Sequence, residues 1–209
     1  MTSTPIRTTL QRFTDAANAR GRDKTRLIHT HRHYLDTPHR DSGGDFYAPV
    51  MSAVRRGLLA GDVETHLADL LDRCRPGQRE HFTQVADGML QLIRREHVDT
   101  VVPAPRGRWA YQDLHVNVTG MLGVQLDSGE RQAWLLHKKA IPLDERAADV
   151  PLYIADALLA TRRSPLRARV VDVRRATVLE ITGPDDRDDL RHLVEAEAAA
   201  YISLWNAAA

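Results

Sequence analysis

The chain holds a single cysteine in 209 residues, Cys74. One thiol excludes an internal disulfide and any zinc site built on cysteine pairs. Cys74 falls on the apolar spacing of a predicted helix, the setting of a buried inert thiol rather than an activated nucleophile. Long apolar runs are also missing: none approaches the roughly 20 residues that a membrane-spanning helix needs. The opening Met1-Thr2-Ser3-Thr4-Pro5-Ile6-Arg7 lacks the apolar stretch of a secretory signal. These absences lead us to expect a cytoplasmic protein with no membrane partner. Neither a Gly-X-Gly-X-X-Gly fingerprint, a phosphate-binding P-loop, a Gly-X-Ser-X-Gly elbow nor a His-Glu-X-X-His helix occurs, so nucleotide binding, serine hydrolysis and zincin chemistry have no motif behind them.

What is present is charge, unevenly placed. The formal net charge is +1. Yet Arg7 to Arg40 holds eight Lys or Arg against Asp15, Asp23 and Asp36, and Arg162 to Arg175 holds six Arg against Asp172. From Glu180 to Glu197 the balance reverses, with seven acids against Arg187 and Arg191. Segregated charge suits nucleic-acid contact, a charged protein partner, or simply a solvated surface.

Periodicity divides the chain. Residues 1–45 read as a polar, His- and Arg-rich segment, and 46–209 as one globular domain. Within that domain 46–97 are helical, 98–182 form a β-rich core with one helix, and 183–209 form a last helix. Phe46, Val50, Met51, Val54 and Leu58 lie at helical spacing, ended by Gly61. Asp62 caps a second helix with stripe Val63, Leu67, Leu70, Leu71 and Cys74. A third, from about Gln78 to Glu96, buries Phe82, Val85, Ala86, Met89, Leu92 and Ile93. Thr100-Val101-Val102 then turns to β-branched residues. A strand pattern starts near Trp109, with a bulge or a new strand at Gly120. Asp127-Ser128-Gly129-Glu130 reads as a hairpin turn between Met121–Leu126 and Ala133–Lys139. A helix capped by Asp149, with Pro151 in its first turn, carries Val150, Ile154, Ala157 and Leu158. Val170–Val173 and Val178–Ile181 are strands, and Asp186 to Trp205 is a helix burying Leu190, Leu193, Val194, Tyr201 and Trp205. Trp134 belongs inside. The class is α/β or α+β: a helical N-terminal part packed on a small mixed β-sheet core with flanking helices.

The order helix, β-hairpin, helix, strand over residues 78–182 resembles the core of the PD-(D/E)XK nucleases. In active members the resemblance implies one Asp opening a strand and an acid-X-Lys triplet on the next, two carboxylates holding a divalent ion while the Lys polarises water. Here Gly123 stands near the first position. The triplet is Leu136-His137-Lys138 or His137-Lys138-Lys139, with no acid at its head. A catalytic set of Asp113, His137 and Lys139 offers one carboxylate to Mg²⁺ or Mn²⁺, the cofactor only if the chain is a nuclease; otherwise none is expected. The resemblance thus favours a degenerate, non-catalytic core.

The segment Arg26-Leu27-Ile28-His29-Thr30-His31-Arg32-His33-Tyr34-Leu35-Asp36 is the second conspicuous feature. On a strand His29 and His33 stand about 13 Å apart at about 3.3 Å per residue, too far to share an ion. On a helix they are i,i+4 neighbours and a workable metal pair, with His31 turned away and Asp36 or His39 as a further ligand. The interleaved Arg20, Arg22, Lys24, Arg26, Arg32 and Arg40 suit anions instead. The expected function is a non-catalytic, nucleic-acid-associated protein whose Arg106, Arg108, Lys138, Lys139, Arg174 and Arg175 contact phosphates rather than bases. The rivals are a metal-dependent nuclease with an atypical site, and a protein-interaction or self-assembling subunit.

Overall fold

Alternation of apolar and polar residues builds two sheets, and helical stripes pack on both faces of the larger one. The computed structural model of the protein describes residues 5–36, 45–143, 145–181 and 183–207. The helical part comprises α3 (Ala48–Ala60), α4 (Val63–Arg73) and α5 (Pro76–Arg95). α3 stops at Gly61, and the Asp62 side chain accepts from the Thr65 N–H at 3.1 Å to start α4. Hydrogen bonding to Thr65 also lowers the Asp62 pKa, favouring the charged cap.

The larger sheet has five strands in the order β2-β5-β6-β7-β8: Val98–Val102, Leu122–Leu126, Arg131–His137, Arg167–Asp172 and Thr177–Leu179. All neighbours are antiparallel except β6 and β7, which run parallel with α6 (Glu145–Thr161) between them in sequence. The hairpin expected across Asp127–Glu130 is β5–β6, in register from Leu122 opposite Trp134 to Gln125 opposite Arg131. The interruption expected at Gly120 is a change of sheet. There the chain takes φ +84°, open to glycine without steric cost, and leaves β4 (Leu114–Val118) in one sheet for β5 in the other. The smaller sheet has three strands, β1 (Ile6–Thr9), β4 and β3 (Gly107–Tyr111), with β1 parallel and β3 antiparallel to β4.

Period-two alternation sends successive residues of β6 to opposite cores. Trp134 joins α3, α4 and α5 through Val50, Leu67, Phe82, Met89, Leu122 and Val171. It is fully buried, as expected, and its indole N–H is satisfied by Gln132 Oε1 at 2.7 Å. Ala133 joins the other cluster, with Leu10, Phe13, Leu114, Ile154, Leu158 and Val170. The fold is α/β (or α+β), with helices on both faces of a mixed sheet.

Three expectations change. Residues 6–36 are no separate polar arm: they supply β1, α1 (Leu10–Asn18) and α2 (Gly21–Asp36), and Phe13 and Ile28 are wholly buried. Four residues are too short for a strand pattern to stand out, and β1 exists only because β4, over a hundred residues away, pairs with it. Second, α6 begins at Glu145, so Pro151 lies inside the helix rather than in its first turn. Its missing N–H leaves the Ala147 carbonyl without the usual i+4 donor, and Asn18 Nδ2 donates to that carbonyl at 3.3 Å instead. Third, Leu193 of α7 (Pro184–Ala207) is exposed, because the buried stripe runs through Val194, Ala198 and Tyr201.

Candidate functional site

His137 and its neighbours Lys138 and Lys139 sit at the carboxyl end of β6, where His137 stands in register with Asp172 at the end of β7. They line a cleft of about 490 Å³ between this strand end, α1 and the start of α6. Asp113 is not in that group. It occupies the β3–β4 turn, where its carbonyl accepts from the Ile6 N–H at 2.8 Å. Thr119, which does line the cleft, lies beyond the far end of β4. At about 3.3 Å per residue roughly 20 Å of strand separates the two. The structure therefore brings His137 and Lys139 together and leaves Asp113 elsewhere.

Gly123 has a steric reason to be glycine. A Cβ there would lie 2.2 Å from the Val102 carbonyl oxygen, so no carboxylate can stand at this point of β5. Neither β5 nor β6 contains an Asp or Glu. The buried acid of the region is Asp172, 1% exposed, and it is occupied. It accepts from the Leu143 N–H at 2.9 Å and from Arg175 Nη1 at 3.2 and 3.3 Å. Arg175 also donates to the Ala140 carbonyl. Arg174 donates to the Lys138 carbonyl at 2.9 Å, to the Tyr47 hydroxyl at 2.8 Å and to Gln84. Lys138 pairs with Asp45 at 2.5 Å, and Lys139 with Asp15 at 2.9 Å. Four of the six basic residues expected to meet phosphate are thus engaged within the fold, two of them clamping the 138–143 loop. Each arginine satisfies loop carbonyls that would otherwise lose water on packing.

Arg106 and Arg108 are placed differently. The three-stranded sheet turns Ile6, Thr8, Leu114, Val116 and Val118 inward, so alternation presents Arg7, Thr9, Arg108, Ala110, His115 and Asn117 on its other face. In register, Arg7 stands beside His115, with Ala110 on its far side, and Thr9 beside Asn117, with Arg108 on its far side. Arg108 Nη1 lies 3.3 Å from His115 Nδ1. Arg106 precedes β3, exposed, and Arg162 at the end of α6 reaches the start of that strand: a Cβ on Gly107 would be 3.5 Å from Arg162 Nη2. β1, β3 and β4 contain no Asp or Glu. Among the described residues Arg7, Arg106, Arg108, Arg162 and Arg163 form no ion pair with a carboxylate. Sequence reasoning missed Arg7 as a member of this face, since the pairing of β1 with β4 is a tertiary fact, whereas Arg162 approaches β3 from the inner, α6-facing side. On the inner side Trp109 stacks on Tyr111 at 6.2 Å and on Phe13 at 6.2 Å, so these aromatics belong to the core.

His29 and His33 do share an exposed face of α2 as i,i+4 neighbours, and His31 turns inward, 8% exposed. Among the described residues no group of three His, Cys, Asp or Glu is arranged to hold a metal; His39 lies outside them. His31 Nδ1 is 3.3 Å from the Tyr201 hydroxyl, and burial, aided by the Arg12 charge, lowers its pKa. Burial likewise raises the Tyr201 pKa. Lys24 pairs with Glu197 at 2.6 Å and Arg32 donates to the Trp205 carbonyl at 2.7 Å, so the basic residues of α2 serve partly to seat it on α7. Cys74, expected on a buried stripe, is half-buried at the end of α4, its thiol donating to the Leu71 carbonyl at 3.2 Å. Among the described residues no helix is long and apolar enough to cross a membrane. No protein-family model and no curated protein matches this sequence.

Proposed function

We propose that the chain is a non-catalytic, nucleic-acid-associated protein that engages the phosphate backbone through the outer face of its three-stranded sheet. The observation that carries this reading is the outer face that presents Arg7, His115 and Arg108, with exposed Arg106 just before β3 and no acid on the strands that present it. Uncompensated guanidinium groups on one sheet face suit a polyanion, because each phosphate neutralised releases condensed counterions. The non-catalytic part rests on the core. With β3 and β4 set aside in the smaller sheet, the order α5, β2, β5, β6, α6, β7, with β6 and β7 parallel, resembles the PD-(D/E)XK core, while β5 and β6 carry no carboxylate to hold a divalent ion. Phosphate contacts position a protein without reading sequence, so binding is expected to be weakly selective.

The test compares two sets of single alanine variants by fluorescence anisotropy on labelled DNA and RNA. Arg7→Ala, Arg106→Ala and Arg108→Ala should each weaken binding on all sequences and reduce the salt slope by about one. Lys138→Ala and Lys139→Ala should change it little, since both side chains are paired internally. Loss confined to the second set, with the first unchanged, refutes the assignment of this face.

A further inference from the structure

The cleft beside β6 has a chemistry that nucleic-acid contact does not use. Its floor is apolar, formed by Leu10, Leu135, Pro151 and Val170. Its volume of about 490 Å³ lies within the range of small-molecule pockets. Helical spacing on α1 brings Leu10, Thr14 and Asn18, and beside them Gln11 and Asp15, to one wall. At the mouth Asp15 is held twice, by Lys139 at 2.9 and 3.1 Å and by Gln11 Nε2 at 2.8 Å. Thr14 lines the same wall, and among the described residues its buried Oγ1 has no hydrogen-bond partner.

We propose that this cleft is a binding site for a small zwitterion with an apolar body, of the class of large apolar α-amino acids. The sign pattern selects the class. A simple anion would take Lys139 and strand Asp15; a simple cation would take Asp15 and strand Lys139. Asp15 and Lys139 are each partly exposed, so water takes up much of the charge left behind, but a singly charged ligand still trades one charged contact for another and gains little. A ligand carrying both signs inserts into the pair: its carboxylate accepts from Lys139 and its ammonium donates to Asp15. The apolar body then displaces water from Leu10, Leu135, Pro151 and Val170. Side-chain preference would favour bulk over polarity, because among these floor residues there is no hydrogen-bonding side chain to reward a polar body.

The experiment is a calorimetric titration of the full chain with three probes: L-phenylalanine, octanoate and octylamine. L-phenylalanine should bind and the two singly charged amphiphiles should bind at least about ten-fold more weakly, the factor that one charged hydrogen bond confers. Asp15→Asn and Lys139→Gln should each weaken L-phenylalanine by a similar factor. The unfolding temperature of each variant without ligand checks that it is folded. The inference is overturned if octanoate or octylamine binds as tightly as L-phenylalanine, if L-phenylalanine does not bind at millimolar concentration, or if binding survives both charge variants unchanged. It does not depend on the nucleic-acid reading, because the outer sheet face and the cleft share no residue.

Discussion

Gly88 of α5 should not tolerate even alanine. A Cβ there would lie 1.8 Å from the Val173 carbonyl oxygen and 2.8 Å from its carbon. Relief requires α5 and the 3-10 turn Val173–Arg175 to part by about 1.5 Å, judged against ordinary contact from 3.4 Å. The colliding atoms are backbone, so no rotamer change absorbs them, and overpacking of this kind costs about 3 kcal/mol. Alanine returns about 1 kcal/mol in helix propensity. The net loss of about 2 kcal/mol corresponds to a fall in Tm of about 4–8 °C for a chain of this size. Gly77, in the same helix, supplies the control: nothing lies within 4 Å of a Cβ built there. Gly77→Ala should leave Tm unchanged or raise it slightly, the opposite sign for the same chemical change. The assay is thermal unfolding followed by circular dichroism. A Gly88→Ala Tm within about 1 °C of the wild type would refute the reasoning, because the close approach would then carry no energetic weight.

Other predictions follow from single contacts. Arg175→Ala leaves the buried Asp172 carboxylate without its cation and the Ala140 carbonyl without its donor; we expect a loss of about 2–3 kcal/mol, discounted for the partial exposure of Arg175, read from chemical denaturation. Asn18→Ala removes a hydrogen bond to the Ala147 carbonyl and should cost about 1 kcal/mol, whereas Asn18→Asp, which cannot donate, should do no better. Burial holds the pKa of His31 below its ordinary value, so the unfolded chain takes up that proton first as pH falls. The contribution of neutral His31 is therefore complete above about pH 6.5 and lost progressively below it, down to the lowered folded value. Tm measured across that window should fall less steeply in His31→Gln than in the wild type.

Legibility followed sequence distance. Helices with an apolar stripe of their own, α3, α4 and α5, were visible from spacing and caps, and so was the β5–β6 hairpin, whose turn and alternation are local. What escaped was set by contacts made far along the chain. β1 acquires its partner from β4, and Pro151 is tolerated within α6 because Asn18 supplies the missing donor. The candidate site shows the same division. Residue type could not tell Arg106 and Arg108, which are exposed, from Arg174 and Arg175, whose guanidinium groups are consumed by the 138–143 loop. Nor could spacing along one strand reveal that Asp113 and His137 stand at remote ends of the β-structure, since the break at Gly120 sends their strands into different sheets.

The central claim is association with nucleic acid without cleavage. The most direct measurement is an anisotropy titration of the full chain with single- and double-stranded DNA and RNA at about 50 and 200 mM salt, with and without Mn²⁺, each mixture then run on a denaturing gel. The account predicts binding that weakens with salt, depends little on sequence, and leaves every strand intact. No binding at the lower salt contradicts it, and so does Mn²⁺-dependent cleavage.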